Sequence, residues 1–155
     1  MDHAEIEKVL ETSEFFKGLE KSAIEKIAGL CQVRRYEPGE YVFCQGDCEE
    51  HLYIIAEGCV LLKRSVNAGT RKGSVVIGIL ANKRVFGCWS ALLGKVNYLL
   101  SSAVCEKPTR IVLIKGADLR EMMVSNKELG VSMLKKLCFL LLDRMRGTYA
   151  AMEKI

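Results

Sequence analysis

The residues best placed to do chemistry lie in Phe86-Gly87-Cys88-Trp89-Ser90-Ala91-Leu92-Leu93 and in the segment Leu99-Leu100-Ser101-Ser102-Ala103 beyond it. A strand-like run ends at Phe86, Gly87 allows a sharp turn, and a short apolar, helix-capable piece begins. The first N–H groups of such a helix lack intrahelical acceptors and converge on one point, so the chemistry on offer is capture of a small anionic or polar ligand. Cys88 stands at the expected helix N-terminus, where a thiol pKa tends to fall. It reads in two ways, as a reactive sensor thiol or as a buried inert one. Covalent catalysis has no visible machinery. The sequence has no serine-histidine-acid order, no Walker loop and no histidine-glutamate zinc helix, and its carboxylates fall on helix faces and turns. The expectation is a binding protein and not an enzyme.

Composition sets the frame for that site. A chain of 155 residues, 50% hydrophobic and 27% charged, forms one domain with a sizeable core. The net charge of +4 is mild, and the densest basic pieces are only Lys83-Arg84, Lys135-Lys136 and Arg144-Met145-Arg146. Nucleic-acid binders concentrate charge on one face, so no direct DNA or RNA binding is expected. Met1 to Glu5 shows no basic start followed by an apolar stretch, so no signal peptide is read there. The longest strongly apolar run, Leu137 to Leu142, is far short of the roughly 20 residues that span a bilayer. Seven cysteines, odd in number and scattered, fit reduced thiols in a cytoplasm. Cys44 and Cys48 do not make a paired zinc motif, and His3 and His51 are the only histidines, so no metal is expected.

Helices open and close the chain. Ile6, Val9 and Leu10 mark an amphipathic helix, Ser13 caps a turn carrying Phe15 and Phe16, and Ser22 to Leu30 forms a second helix. From Cys31 short β runs take over: Val33 to Glu37, Tyr41 to Gln45, Leu52 to Glu57, Cys59 to Arg64 and Ser74 to Leu80. Pro38-Gly39, Gly46-Asp47 and Glu57-Gly58 punctuate them, and Asn67 to Gly73 reads as a solvated hairpin loop. Ser102 to Cys105 and Ile111 to Ile114 add two strands. Even spacing of this kind predicts a sandwich or barrel. Helical period returns at Gly116, with Asp118, Leu119, Met122 and Met123 on a short helix. Ser125 and Glu128 have capping-box spacing, so a long helix should start there. Along it Val131, Leu134, Cys138, Leu141, Met145, Thr148 and Met152 recur at steps of three and four, a coiled-coil-like seam. Met133, Leu137 and Leu140 form a second apolar line. One line suits the parent domain and the other a second copy of the chain, so a homodimer through this helix is expected.

Two stretches carry a family resemblance. Tyr36-Glu37-Pro38-Gly39-Glu40-Tyr41-Val42-Phe43-Cys44-Gln45-Gly46-Asp47 and Leu52-Tyr53-Ile54-Ile55-Ala56-Glu57-Gly58-Cys59-Val60 resemble the cyclic nucleotide-binding domain of the catabolite activator/FNR superfamily. The resemblance implies a mainly β fold with flanking helices, a double-stranded β-helix jelly roll followed by a long C-terminal helix. It implies helices over residues 1–30, the ligand-binding barrel over 31–115 and C-terminal helices over 116–155, the dimerisation helix starting near 126. The family's phosphate-binding cassette reads Phe-Gly-Glu, a short apolar helix, then an arginine and a small residue. The glutamate accepts from the ribose hydroxyl, and the arginine pairs with the cyclic phosphate.

Phe86 and Gly87 match that cassette, but Cys88, or Trp89 with one residue inserted, stands where glutamate belongs. The arginine position falls near Leu99 or Leu100, and no arginine lies between Arg84 and Arg110. Replacement contacts must come from Lys95, from the backbone of Cys88 to Ser90, and from the Ser101 and Ser102 hydroxyls. Ala91 and Trp89 then wall the site. A cassette altered in this way implies a small-molecule-responsive regulatory module with weak or altered cyclic nucleotide binding and an unidentified ligand. The alternatives are a non-binding dimerisation scaffold, with the cavity filled by Trp89, Leu99 and Leu100, and a sensor built on Cys88. Transcriptional members of the family carry a DNA-binding helix-turn-helix after the long helix. With Ile155 last in the sequence, none is expected in this chain.

Overall fold

The computed structural model describes residues 1–95 and 98–154. Helices α1 (His3–Thr12) and α2 (Lys21–Ala28) precede eight strands. These are β1 (Gln32–Tyr36), β2 (Tyr41–Phe43), β3 (His51–Glu57), β4 (Val60–Ala68), β5 (Arg71–Leu80), β6 (Val85–Gly87), β7 (Ser102–Cys105) and β8 (Thr109–Lys115). A short 3-10 helix, Trp89–Leu93, separates β6 from β7. Helices α3 (Gly116–Ser125) and α4 (Lys127–Met152) close the chain. The strands form two four-stranded antiparallel sheets, ordered β1-β8-β3-β6 and β2-β7-β4-β5. That is the expected helix-flanked jelly roll.

The central strands of the first sheet, β8 and β3, are apolar on both faces, which explains the unbroken Leu52-Tyr53-Ile54-Ile55 and Ile111-Val112-Leu113-Ile114 runs. Tyr53, Ile55, Ile111 and Leu113 turn into the barrel to meet Phe43, Val60, Leu62, Leu80 and Phe86. Leu52, Ile54, Val112 and Ile114 turn outward onto the helices, against Leu10, Phe15, Phe16, Ile27, Leu119 and Met133. Alternation of side chains across a strand thus feeds two separate cores. Phe15 and Phe16 are fully buried, and Ser13 fixes their turn by accepting from the Phe16 N–H at 3.2 Å.

Two local expectations need correction. Strands β4 and β5 stay paired from Val60–Leu80 to Ala68–Arg71, with one register shift between Leu62 and Lys63, so the stretch from Asn67 to Gly73 is paired strand and not loop. Only Gly69 and Thr70 turn the corner, helped by a φ of 74° at Gly69. This ribbon is polar because backbone pairing needs no apolar face. The long helix is capped by Asn126, whose side chain accepts from the Leu129 N–H at 3.2 Å. Ser125 instead ends α3 by donating to the Glu121 carbonyl at 2.7 Å.

Helix α4 presents its two apolar lines as the periodicity predicts. Met133, Leu137 and Leu140 are buried against the domain, while Val131, Leu134, Cys138, Leu141, Met145 and Met152 are exposed together. No helix among the described residues is long and apolar enough to cross a membrane.

Candidate functional site

The cassette begins where β6 runs hard against β3, with Gly87 paired to Leu52 and Phe86 to Tyr53. Gly87 has a φ of 124°, and a Cβ there would sit 2.5 Å from the His51 carbonyl oxygen and 2.9 Å from Tyr53 Cδ2. Glycine is therefore required twice, for the backbone angle and for the close approach. The Cys88 N–H donates to that His51 carbonyl at 3.0 Å, so the first of the expected ligand donors is already engaged. The 3-10 helix comes next, and Gly94 ends it with a φ of 70°. The returning chain is laced to the β2–β3 turn. Leu99 donates to the Asp47 carbonyl at 2.9 Å, and Gly46 donates to that of Leu99 at 2.9 Å.

The two faces of this segment separate the candidate residues. Phe86, Cys88, Ala91 and Leu99 pack into the barrel. Phe86 stacks on Tyr53, with ring centroids 5.3 Å apart, and lies 5.8 Å from Phe43. Cys88 is buried, its sulfur 3.2 Å from Ser90 Oγ. Trp89 turns the opposite way and meets Phe15 edge-to-face at 5.6 Å, within the helix-side core. It neither walls nor fills the barrel, because consecutive residues leaving β6 point to opposite sides of the sheet. Leu100 is 78% exposed and does not fill the barrel either. Cys88 and Leu99 are thus the inward residues at the two positions where the resemblance expects glutamate and arginine.

The remaining candidates are spread around the rim. Lys95 is exposed, and its backbone N–H donates to the Ser90 carbonyl at 3.1 Å. Ser102 Oγ accepts from the Gln45 N–H at 2.8 Å, so this hydroxyl is engaged as an acceptor in holding the β2–β3 turn. Ser101 is half-buried beside it.

Several polar residues at this end of the barrel lie outside any motif in the sequence. Glu49 Oε1 accepts from the Glu50 N–H at 2.9 Å and the His51 N–H at 3.1 Å, and lies 2.6 Å from His51 Nδ1. Burial pushes the Glu49 carboxyl up, but hydrogen bonds from His51, Glu50 and Tyr53 outweigh it and hold the group below the usual range. Burial first, and then the Glu49 charge, raises the Tyr53 phenol well above its ordinary value. Arg64, two residues beyond inward-facing Leu62 on β4, donates from its guanidinium to the Leu100 carbonyl. Its even spacing from Val60 and Leu62 puts it on their side of the strand, but beyond the core and exposed at the rim.

A second cluster ties the cassette strand to α4. Arg144 donates to Glu14 Oε1 and to the Val85 carbonyl, each at 2.6 Å. Arg84 lies against the same Glu14 carboxylate and donates to Asp143 at 2.8 Å. The residues immediately before Phe86 are thereby bonded to the helix expected to carry the dimer contact.

Comparison with known proteins agrees with this architecture. The family model described as the cyclic nucleotide-binding domain matches residues 33–126, more than half of the chain. The chain is similar to the global nitrogen regulators of Synechococcus elongatus, at 26% identity over 106 residues, and of Nostoc sp., at 28% over 105. Each alignment covers 68% of this chain and 46% of the relative, so the chain spans about half the length of the curated relatives it matches. Among solved structures it is similar to the catabolite activator protein of Thermus thermophilus, with a TM-score of 0.69 and 26% identity. That match covers 91% of this chain and 62% of the other. A cyclic nucleotide-binding domain from Methylobacillus flagellatus shares the fold with a TM-score of 0.76 at 20% identity, over 96% of this chain and 80% of the other.

Proposed function

The chain belongs to the cyclic nucleotide-binding domain family, and from that membership we propose that it is a ligand-responsive regulatory module whose cassette has traded its charged contacts for weak or altered nucleotide binding. The observation that carries this reading is the pair of inward positions held by Cys88 and Leu99. A thiol does not accept from a ribose hydroxyl as a carboxylate does, and a buried leucine offers no charge to a phosphate. Each charged hydrogen bond contributes about 1.5–3 kcal/mol, so losing two weakens binding by about a hundred- to ten-thousand-fold.

In this reading residues 1–30 buttress the barrel of residues 31–115, and the C-terminal helices of 116–155 carry the output. The exposed line of Leu134, Cys138, Leu141, Met145 and Met152 pairs with a second copy of the chain. A cytoplasmic regulator, not an enzyme, fits the reduced cysteines and the regulators named among the relatives. Burial pushes the Cys31 thiol up to about 12 and raises that of Cys105, which weighs against general thiol reactivity. Burial of Cys88 shields its sulfur from reagents in solution, which weighs against the sensor reading.

One observation favours a second reading. The aromatic packing of Phe43, Tyr53 and Phe86 occupies the barrel centre, as a non-binding dimerisation scaffold would require. Calorimetric titration with cyclic AMP and cyclic GMP separates the two. The ligand-binding reading expects dissociation constants of about 100 μM or weaker. Micromolar or tighter binding would contradict the loss of the charged contacts, and silence to millimolar ligand would select the scaffold.

A further inference from the structure

We propose that Arg64 supplies from strand β4 the cation that the cassette itself lacks, so that the ligand of this barrel carries an anionic group held between Arg64 and Ser101. The inference rests on the ligand-binding reading above and adds to it a residue from outside the cassette. The register of β4 with β7 pairs Val60 with Cys105 and Leu62 with Ala103, and all four side chains are buried in the barrel. The pairing ends at Lys63 with Ser102, and the next step of the alternation carries Arg64, which is exposed, past the end of β7 toward Ser101 at the rim. There the guanidinium donates to the Leu100 carbonyl, directly after the inward Leu99 that stands at the arginine position. A positive charge has thus moved from the cassette to the neighbouring strand while remaining at the cassette's C-terminal arm.

The chemistry of the side chain suits this transfer. A guanidinium has five N–H donors in a fixed fork, so one can stay on the Leu100 carbonyl while others meet two oxygens of a phosphate. The Ser101 hydroxyl adds a donor on the same side. Lys95 is a weaker candidate for the charge: both it and Arg64 are exposed, but Lys95 is bonded through its backbone N–H to Ser90, whereas the Arg64 guanidinium itself is held at the cassette, on the Leu100 carbonyl. The site therefore selects a phosphate-bearing ligand over its uncharged analogue.

The test uses the full chain, with cyclic AMP and adenosine as probes that differ in the phosphate, and reads both affinities by NMR titration. Wild type is expected to prefer cyclic AMP by about tenfold or more. Arg64→Gln should bring the two affinities within about twofold of each other, while Arg64→Lys, which keeps the charge, should preserve a preference above about threefold. Raising ionic strength should weaken cyclic AMP binding and leave adenosine unaffected. If Arg64→Gln weakens both probes equally, Arg64 only pins the Leu100 carbonyl and the proposal fails. It fails as well, with the ligand-binding reading intact, if Arg64→Gln leaves the wild-type preference unchanged. If wild type binds neither probe up to millimolar concentration, the ligand-binding reading falls and this proposal falls with it.

Discussion

Replacing Gly87 with alanine tests how the cassette is held, because two costs at that position can be separated. Gly87 has a φ of 124°, and a residue with a β-carbon held there costs about 1–3 kcal/mol in backbone strain. The new Cβ would also sit 2.5 Å from the His51 carbonyl oxygen and 3.2 Å from Leu52 Cα. Neither neighbour is a flexible side-chain tip, so the strands must part, and overpacking of this kind costs about 1–3 kcal/mol more. The sum, about 2–6 kcal/mol, is a large share of a stability of roughly 5–15 kcal/mol. Parting the strands would further stretch the 3.0 Å bond from the Cys88 N–H to His51. Gly39 is the control, since its φ is 86° but nothing lies within 4 Å of an added Cβ. Gly39→Ala should cost only about 1–2 kcal/mol. Urea unfolding followed by fluorescence of Trp89, the sole tryptophan, measures both variants. Equal losses for Gly87→Ala and Gly39→Ala would refute the close-approach argument.

The same geometry sets three other expectations. Glu49 has a folded pKa held below its usual value, so its contribution to stability is full above about pH 4.5 and is lost as pH falls through the folded pKa. Urea midpoints between pH 3 and 6 should therefore fall more steeply for wild type than for Glu49→Gln, and parallel curves would remove Glu49 from the account. The double variant Leu134→Glu with Met145→Glu should run as a monomer in sedimentation and stay folded by circular dichroism, because both residues are exposed in the single chain, and its thermal midpoint should lose the concentration dependence that dimerisation gives wild type. An unchanged oligomeric state would place dimerisation elsewhere. Arg144→Ala removes bonds to Glu14 and the Val85 carbonyl and should cost about 1–3 kcal/mol in unfolding free energy. A loss below about 0.5 kcal/mol would mean that the link between β6 and α4 contributes little.

The fold was legible because its signals are local. Turn glycines such as Gly39, Gly46 and Gly58, at the ends of short apolar runs, announce the sharp turns that carry the chain from one sheet to the other, and all three have positive φ. The Met133, Leu137 and Leu140 line announced the buried face of α4 for the same reason. What escaped depends on partners distant in sequence. Trp89 comes directly after Cys88, yet one belongs to the helix-side core and the other to the barrel, because the sheet separates them. Asn126 won the cap from Ser125 because a single residue separates α3 from α4, which leaves Ser125, the last of α3, bonded backward. Arg64 lies 36 positions from Leu100, so no motif centred on the cassette includes it. Glu49, just before β3, and His51 and Tyr53 within it gain meaning only through the hydrogen bonds that join them.

The central claim is that a ligand enters between the cassette and the barrel and is read out at α4. Amide chemical-shift mapping of the isotope-labelled protein during titration with cyclic AMP addresses it most directly. The account predicts perturbations concentrated in residues 86–103 and at Arg64, with a second set along α4 near Asp143 and Arg144, where the ion network meets the cassette strand. An unperturbed cassette at millimolar ligand, or shifts confined to the exposed face of α4, would contradict it.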